Sequence, residues 1–226
     1  DLNDQIDIDK AATRVSITFE TLHTEEILAE EQKFSAWLRE NAPKIEFTAA
    51  SSTMMFAHIG KRNVQSMLVG TSLALVLISF ILIIALRSRR IGLISLAPNL
   101  IPAGMAFGIW GLWVGEVGMS LSVVAGMTLG IVVDDTVHFL SKYLRARREK
   151  GLNEIEAVRY AFNTVGVALW VTSLVLVAGF IVLAQSHFAL NSNMGTMAAI
   201  TIAIALIMDF LFLPPLLMKL EENKHA

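Results

Sequence analysis

No cysteine occurs in the 226 residues of this chain, which excludes disulfides and thiol chemistry without assigning a cellular compartment. Charge is scarce as well. Asp, Glu, Lys and Arg make up 17% of the chain against 54% hydrophobic residues, with a mean hydropathy of +0.60. This balance places the chain in the membrane class rather than among soluble domains. The net charge of −2 says little about partners, because the charges are so unevenly placed. No nucleic-acid partner, cofactor or metal is expected.

Lys and Arg are missing altogether from five long apolar stretches: Asn63 to Leu86, Ile91 to Gly115, Val117 to Ser141, Tyr160 to Ser186 and Met194 to Met218. Each exceeds the roughly 20 residues a helix needs to cross about 30 Å of hydrocarbon. The expected fold is therefore mainly α: a polytopic membrane helix bundle of five spans over residues 63–218, preceded by a small extracytoplasmic α/β segment.

The basic residues withheld from the spans gather in alternate loops. Arg87, Arg89 and Arg90 follow the first span; Lys142, Arg145, Arg147, Arg148, Lys150 and Arg159 separate the third from the fourth; Lys219 and Lys224 follow the fifth. The loops around Glu116 and from His187 to Asn193 have none. Because Lys and Arg concentrate on the cytoplasmic side, residues 87–90, 142–159 and the tail at 219–226 are expected inside, and residues 1–62 outside, against the minority vote of Lys61 and Arg62. Trp110 and Trp113, near the outer end of the second span, fit an interfacial belt and fit core packing equally well. A polar segment outside needs a span to carry it across. No signal peptide precedes residues 1–62, so at least one further span is expected upstream.

Within the external segment, Arg14 to Glu20 alternates, with Val15, Ile17 and Phe19 on one side, as a half-buried strand does. Thr24 is suited to cap a helix that opens with Glu25 and Glu26 and carries Ile27, Leu28, Phe34, Trp37 and Leu38 on one stripe. Pro43 ends it, and Lys44 to Thr48 alternates again. Residues 51–62 read as a connector. Between the third and fourth spans, Gly151 interrupts the basic run and Asn153 with Glu156 resembles a capping box, which predicts a surface helix within about 142–160. Its basic residues chiefly set topology, with contact to anionic membrane lipid as the further reading.

The chemistry concentrates in the third span, where Asp134 and Asp135 stand side by side in an otherwise apolar run. A carboxylate at the bilayer centre costs roughly 2.5–3.5 kcal/mol, so acids kept there serve proton, ion or ligand traffic. Gly126, Gly130, Asp134 and His138 recur every four residues and share one helical stripe, on which the glycines allow a neighbouring helix to approach. Asp135 points about 100° away from Asp134 and so has other neighbours. Asp209 in the fifth span lies at comparable depth and can meet them. Burial and a second nearby acid both penalise ionisation, so such a cluster is able to bind and release a proton near neutral pH. The expected relay is Asp134, Asp135, Asp209 and His138, flanked by Gly126, Gly130 and Thr128. The plainer roles are polar packing for the acids and an interfacial position for His138. Thr128, Thr136, Thr172 and Ser173 read as helix-packing residues, with a place on a proton path as the second reading, Gly104, Gly108, Gly111 and Gly115 as a close-packing face of the second span, and Pro98 with Pro102 as a kink.

The string Gly-Met-Thr-Leu-Gly-Ile-Val-Val-Asp-Asp-Thr-Val-His from Gly126 to His138 resembles the double-aspartate helix motif of resistance-nodulation-division transporters, above all the exporters related to the mycobacterial large membrane proteins and to Patched. Asp209-Phe-Leu-Phe-Leu-Pro-Pro-Leu-Leu217 is similar to the end of their last span. The resemblance implies the last five spans of a twelve-span protein of the bacterial inner membrane, with residues 1–50 ending a periplasmic porter domain and an N-terminal half of the same protein as partner. It implies proton-driven export, with Asp134 and Asp135 as coupling acids. The membrane-embedded Lys of the multidrug branch has no counterpart here, which favours lipids or other hydrophobic molecules as substrate. A homo-oligomer stays open. Two other readings use the same bundle: a lipid- or sterol-sensing regulator and a Sec-associated protein-export motor. An intramembrane aspartyl protease is disfavoured, because its GxGD signature is absent: Ile131, Val132 and Val133 separate Gly130 from Asp134.

Overall fold

A computed structural model of the chain describes residues 5–7, 9, 11–20, 22–85, 87, 89–115 and 119–225. They fall into two units, Asp1–Lys61 and Arg62–Ala226. In the first, helix α1 (Thr24–Asn41) begins one residue earlier than the sequence suggested: His23 takes the cap position, and its backbone N–H donates to the Glu26 carboxylate at 2.9 Å. Helix α2 (Ser52–Ala85) starts inside this unit, where Ser51 Oγ accepts from the Met54 N–H at 3.0 Å. The residues read as a connector, 51–62, are therefore largely helical, and His58 pairs with Glu31 of α1 at 2.8 Å.

The expected α/β character of this segment is corrected. Among the described residues there is no strand, only an isolated antiparallel bridge between Ile6 and Thr13. Alternation describes a strand with one buried face, but a strand also needs a partner to take its N–H and C=O groups. Among the described residues neither Arg14–Glu20 nor Lys44–Thr48 joins a ladder, the Arg14 N–H reaching the Gln5 carbonyl at 2.7 Å beside the isolated bridge, and Val15, Ile17, Phe19 and Ile45 stay exposed.

The second unit carries helices long and apolar enough to cross a membrane at Ser52–Ile84, Gly92–Trp113, Leu121–Glu149, Glu154–Ala184 and Ala189–Lys219, the first of them beginning in the preceding unit. Five spans are thus present, as expected from hydropathy. The second is broken by proline. Helix α3 (Arg89–Ile94) stops four residues before Pro98, whose ring clashes with the carbonyl at i−4, and α4 (Ala97–Trp113) restarts the span. The expected loop around Glu116, with the start of the third span at Val117, lies outside the described residues. Helix α5 (Met119–Glu149) is one unbroken element. It ends at Gly151, whose φ of +63° permits a left-handed turn in which the Leu152 N–H returns to the Ala146 carbonyl at 3.2 Å.

Helix α6 (Glu154–Ala161) opens on a reciprocal capping box between Asn153 and Glu156 and runs through a π-helical turn at Phe162–Gly166 into α7 (Val167–Ala184). Helix α8 (Ala189–Ile207) starts five residues before the expected span, because Ser192 Oγ donates to the Ala184 carbonyl at 2.7 Å and closes the turn from α7. A second π-helical turn, Met208–Phe212, leads into α9 (Leu213–His225). Pro214 and Pro215 follow it after Leu213. They remove two backbone donors and crowd the carbonyls of Phe210 and Leu211, which accounts for the widened turn.

Helix α8 is the hub, packing on α4, α5 and α7. Two apolar clusters hold the bundle, one built on Phe139, Leu140, Tyr143, Leu169, Leu213 and Leu217, the other on Ala106, Trp110, Leu121, Val124, Met197 and Ala198. Trp110 is thus a core residue, whereas Trp113 is exposed. At Gly195 the backbones of α7 and α8 come so close that a Cβ would lie 2.6 Å from Ala184 N and 2.7 Å from Phe180 O. Gly195→Ala is expected to destabilise the unit by about 1–3 kcal/mol through overpacking against backbone that cannot rotate away. Denaturation of the purified protein measures this, and an unchanged midpoint would show slack at the crossing.

Candidate functional site

Between the two apolar clusters lies a polar layer. Its residues are Asn99 near the start of α4, Asp135 and Thr136 on α5, Ser173 on α7 and Asp209 in the second π turn. Each sits there for a local reason. The break at Pro98 diverts the Asn99 N–H to the Leu96 carbonyl at 3.1 Å, freeing the Ser95 carbonyl from its helical partner. The Asn99 side-chain amide takes that carbonyl instead, with Nδ2 donating at 2.7 Å, and Ser95 Oγ donates to the Gly92 carbonyl at 2.8 Å. Asp209 is carried by the widened turn ahead of Pro214, a distortion that recurs at functional sites.

Asp209 is 3% exposed, and the Thr136 hydroxyl lies 2.9 Å from its Oδ1. The same hydroxyl lies 2.8 Å from Asn99 Oδ1 and 3.3 Å from the Val132 carbonyl. Asn99 and Thr136 are also fully buried. One hydroxyl thus joins three separate helical segments. On the adjacent face of α5, Ser173 Oγ of α7 donates to Asp135 Oδ2 at 2.8 Å. Aromatic rings close the layer on one side. Phe210, next to Asp209, meets Phe162 of the first π turn at 5.2 Å between centroids, and Phe162 meets Phe139 at 4.9 Å.

Of the residues expected to form a relay, Asp135 and Asp209 are brought into this layer from α5 and from the turn before α9. Asp134 and His138 are not. Their side chains are 71% and 59% exposed on the outer stripe of α5, with His138 Nε2 3.5 Å from Asp134 Oδ1. Gly126 and Gly130 share that stripe, and a Cβ at either would meet no atom within 4 Å, so no close helix contact forms there among the described residues. The same holds for Gly104, Gly108 and Gly111. Thr128 points inward, buried, and donates to the Val124 carbonyl at 2.8 Å. Thr136 and Ser173, read from sequence as packing residues, are the direct partners of the buried Asp209 and the half-buried Asp135. Asn99 and Ser95 were not singled out. The available signal was a lone amide in an apolar span one residue after a proline. No group of three or more His, Asp or Glu side chains fit to hold a metal occurs among the described residues.

Thr136→Val keeps the shape and deletes the hydroxyl, leaving Asp209 and Asn99 buried without it, and is expected to lower stability by about 1–3 kcal/mol. Thr172→Val, at an exposed hydroxyl bonded only within its own helix, should change it by less than about 0.5 kcal/mol. Parallel unfolding curves measure the contrast, and equal effects would deny the layer its structural role.

The geometry gives a multi-pass membrane bundle with acids held inside it. Comparison with known proteins agrees. A membrane protein of Methanocaldococcus jannaschii is 26% identical to the chain over 183 residues, 81% of the chain and 46% of that relative. The chain therefore spans about half the length of the curated relative it matches. The profile of the MMPL family matches residues 7–222, nearly the whole chain, and the chain belongs to that family.

Proposed function

We propose that the chain is the C-terminal half of a proton-driven exporter of the resistance-nodulation-division type, moving lipids or other hydrophobic molecules out of the cell. The observation that carries this reading is the burial of Asp209 among neutral partners, one layer with Asp135, in helices that hold no Lys or Arg at that depth. An acid so placed is stable without a charge and strained with one, which is the condition for a group that takes up a proton and gives it back. Membership of the MMPL family supports transport rather than catalysis.

In this reading Asp135 and Asp209 form the inner part of the relay, and Asp134 with His138 the part that opens on the outer stripe of α5. Proton uptake neutralises a buried carboxylate, relaxes the demand for polar contact, and lets α5 shift against α7 and α8. Each proton entering down the membrane potential supplies about 2.3 kcal/mol per 100 mV. The Lys and Arg distribution supports an inner-membrane orientation with residues 1–62 outside and the tail inside.

The test is transport by the full-length protein in vesicles with an imposed pH gradient, using a fluorescent long-chain fatty acid as probe. Replacing Asp134 and Asp135 together with Asn should reduce gradient-driven movement to background while leaving expression and insertion intact. Gradient-driven transport that survives the double replacement would remove the coupling role, and binding of the probe with no dependence on the gradient would point to a sensor instead.

A further inference from the structure

The hydroxyl of Thr136 has one proton and two acceptors within 2.9 Å, Asn99 Oδ1 at 2.8 Å and Asp209 Oδ1 at 2.9 Å. A hydroxyl donates once and can accept besides, whereas an amide oxygen and an ionised carboxylate only accept. The Asn99 amide is not free to turn round and donate to Thr136. Its nitrogen is engaged with the Ser95 carbonyl at 2.7 Å, and reversal would set two oxygens against each other at that distance. Three groups, one proton: the arrangement is complete only if a second proton is present.

We propose that the second proton resides on Asp209, and that Asn99 is a positioning residue through which the charge state of Asp209 is passed to α4. When Asp209 is neutral, its O–H donates to Thr136 Oγ, Thr136 donates to Asn99 Oδ1, and Asn99 Nδ2 donates to the Ser95 carbonyl. Every member is satisfied, and the chain of bonds ties the π turn to α5 and α5 to α4. When the proton leaves to water, Asp209 becomes a carboxylate and claims the Thr136 proton, because a bond to a charged acceptor is the stronger one. Asn99 Oδ1 then faces an oxygen lone pair and loses its link to α5. Helix α4 is gripped in one state and released in the other, and the break at Pro98 gives it a place to pivot.

The titratable group facing Asp209 from α5 is Asp135. Helices α4, α7 and α8 and the turn Phe162–Gly166 contain no Asp, Glu, Lys, Arg or His, and α9 has its first ionisable residue at Lys219. The cations of α5 and α9 begin at His138 and Lys219, and neither forms an ion pair with Asp209. This inference extends the proton-coupled reading to a specific moving part and rests on it for its use in transport, but the bond reversal stands or falls separately.

The experiment is infrared difference spectroscopy of the full-length protein in lipid nanodiscs, titrated in pH. Two bands are assigned by replacement: the carboxylic-acid C=O stretch lost in Asp209→Asn and the side-chain amide C=O stretch lost in Asn99→Leu. In the parent protein the amide band should shift in step with the appearance of the acid band. Thr136→Val should keep the acid band and abolish the shift of the amide band, while Thr136→Ser, which restores the hydroxyl, should recover it. A merely structural Thr136 would not give that recovery. An acid band that titrates with the amide band unmoved overturns the proposal, as does the absence of any Asp209 acid band. Gradient-driven transport of the fatty-acid probe is then compared: Asn99→Leu should lower it at least tenfold. Coupled bands in a protein that transports nothing would uphold the bond reversal and dismiss the exporter reading, whereas transport unaffected by Asn99→Leu would overturn the role of α4.

Discussion

The bundle is governed by the demand that every polar group removed from water be satisfied inside the protein. In a bilayer that demand is stricter than in a soluble core, since lipid offers no hydrogen bonds at all. Asp209 meets it through Thr136, Thr136 through its shared position with Asn99, and Asn99 through a carbonyl left over from the break at Pro98. Remove any link and a neighbour is stranded. The polar layer is therefore cooperative, and its geometry ties α4, α5, α7 and the turn Met208–Phe212 to one another more specifically than the apolar clusters on either side can.

Two distortions of regular helix make the layer possible, and both follow from proline. Pro98 divides the second span and turns a backbone carbonyl into an acceptor for a side chain. Pro214 and Pro215 are preceded by the widened turn that carries Asp209 inward. A straight α-helix would have used its own backbone groups internally and left side chains as the sole connectors. The break at Pro98 instead gives the Asn99 side chain a backbone partner in the Ser95 carbonyl. The contact between Phe162 and Phe210 joins the widened turn at Asp209 to the other π turn, Phe162–Gly166.

Asp134 and Asp135, adjacent in sequence, have different surroundings. Asp135 faces α7 and Ser173, whereas Asp134 and His138 look outward from α5 beside Gly126 and Gly130. The hundred-degree turn between neighbouring residues of a helix separates an inward acid from an outward one, and the pair serves two environments from a single turn of helix.

The five spans, the capping box at Asn153 and the stop at Gly151 were legible in the sequence because each depends on local chemistry: length of an apolar run, a side chain three residues from its partner, a residue free to adopt positive φ. The external strands were misjudged from equally local evidence, since alternation says nothing about whether a second strand is there to pair. The double aspartate announced itself by its energetic cost. What it touches could not be read. Thr136 lies 73 positions from Asp209 in the chain and Asn99 lies 37 from Thr136, and nothing in the composition of α4 marks Asn99 as the partner of an acid. The sequence alone determined which segments enter the membrane and that acids go with them, because hydropathy and backbone propensity act over a few residues. Only the tertiary structure decided which hydroxyl and which amide those acids meet, because a hydrogen bond is made or lost within less than an ångström and depends on how four helices, two of them broken, come to rest against one another.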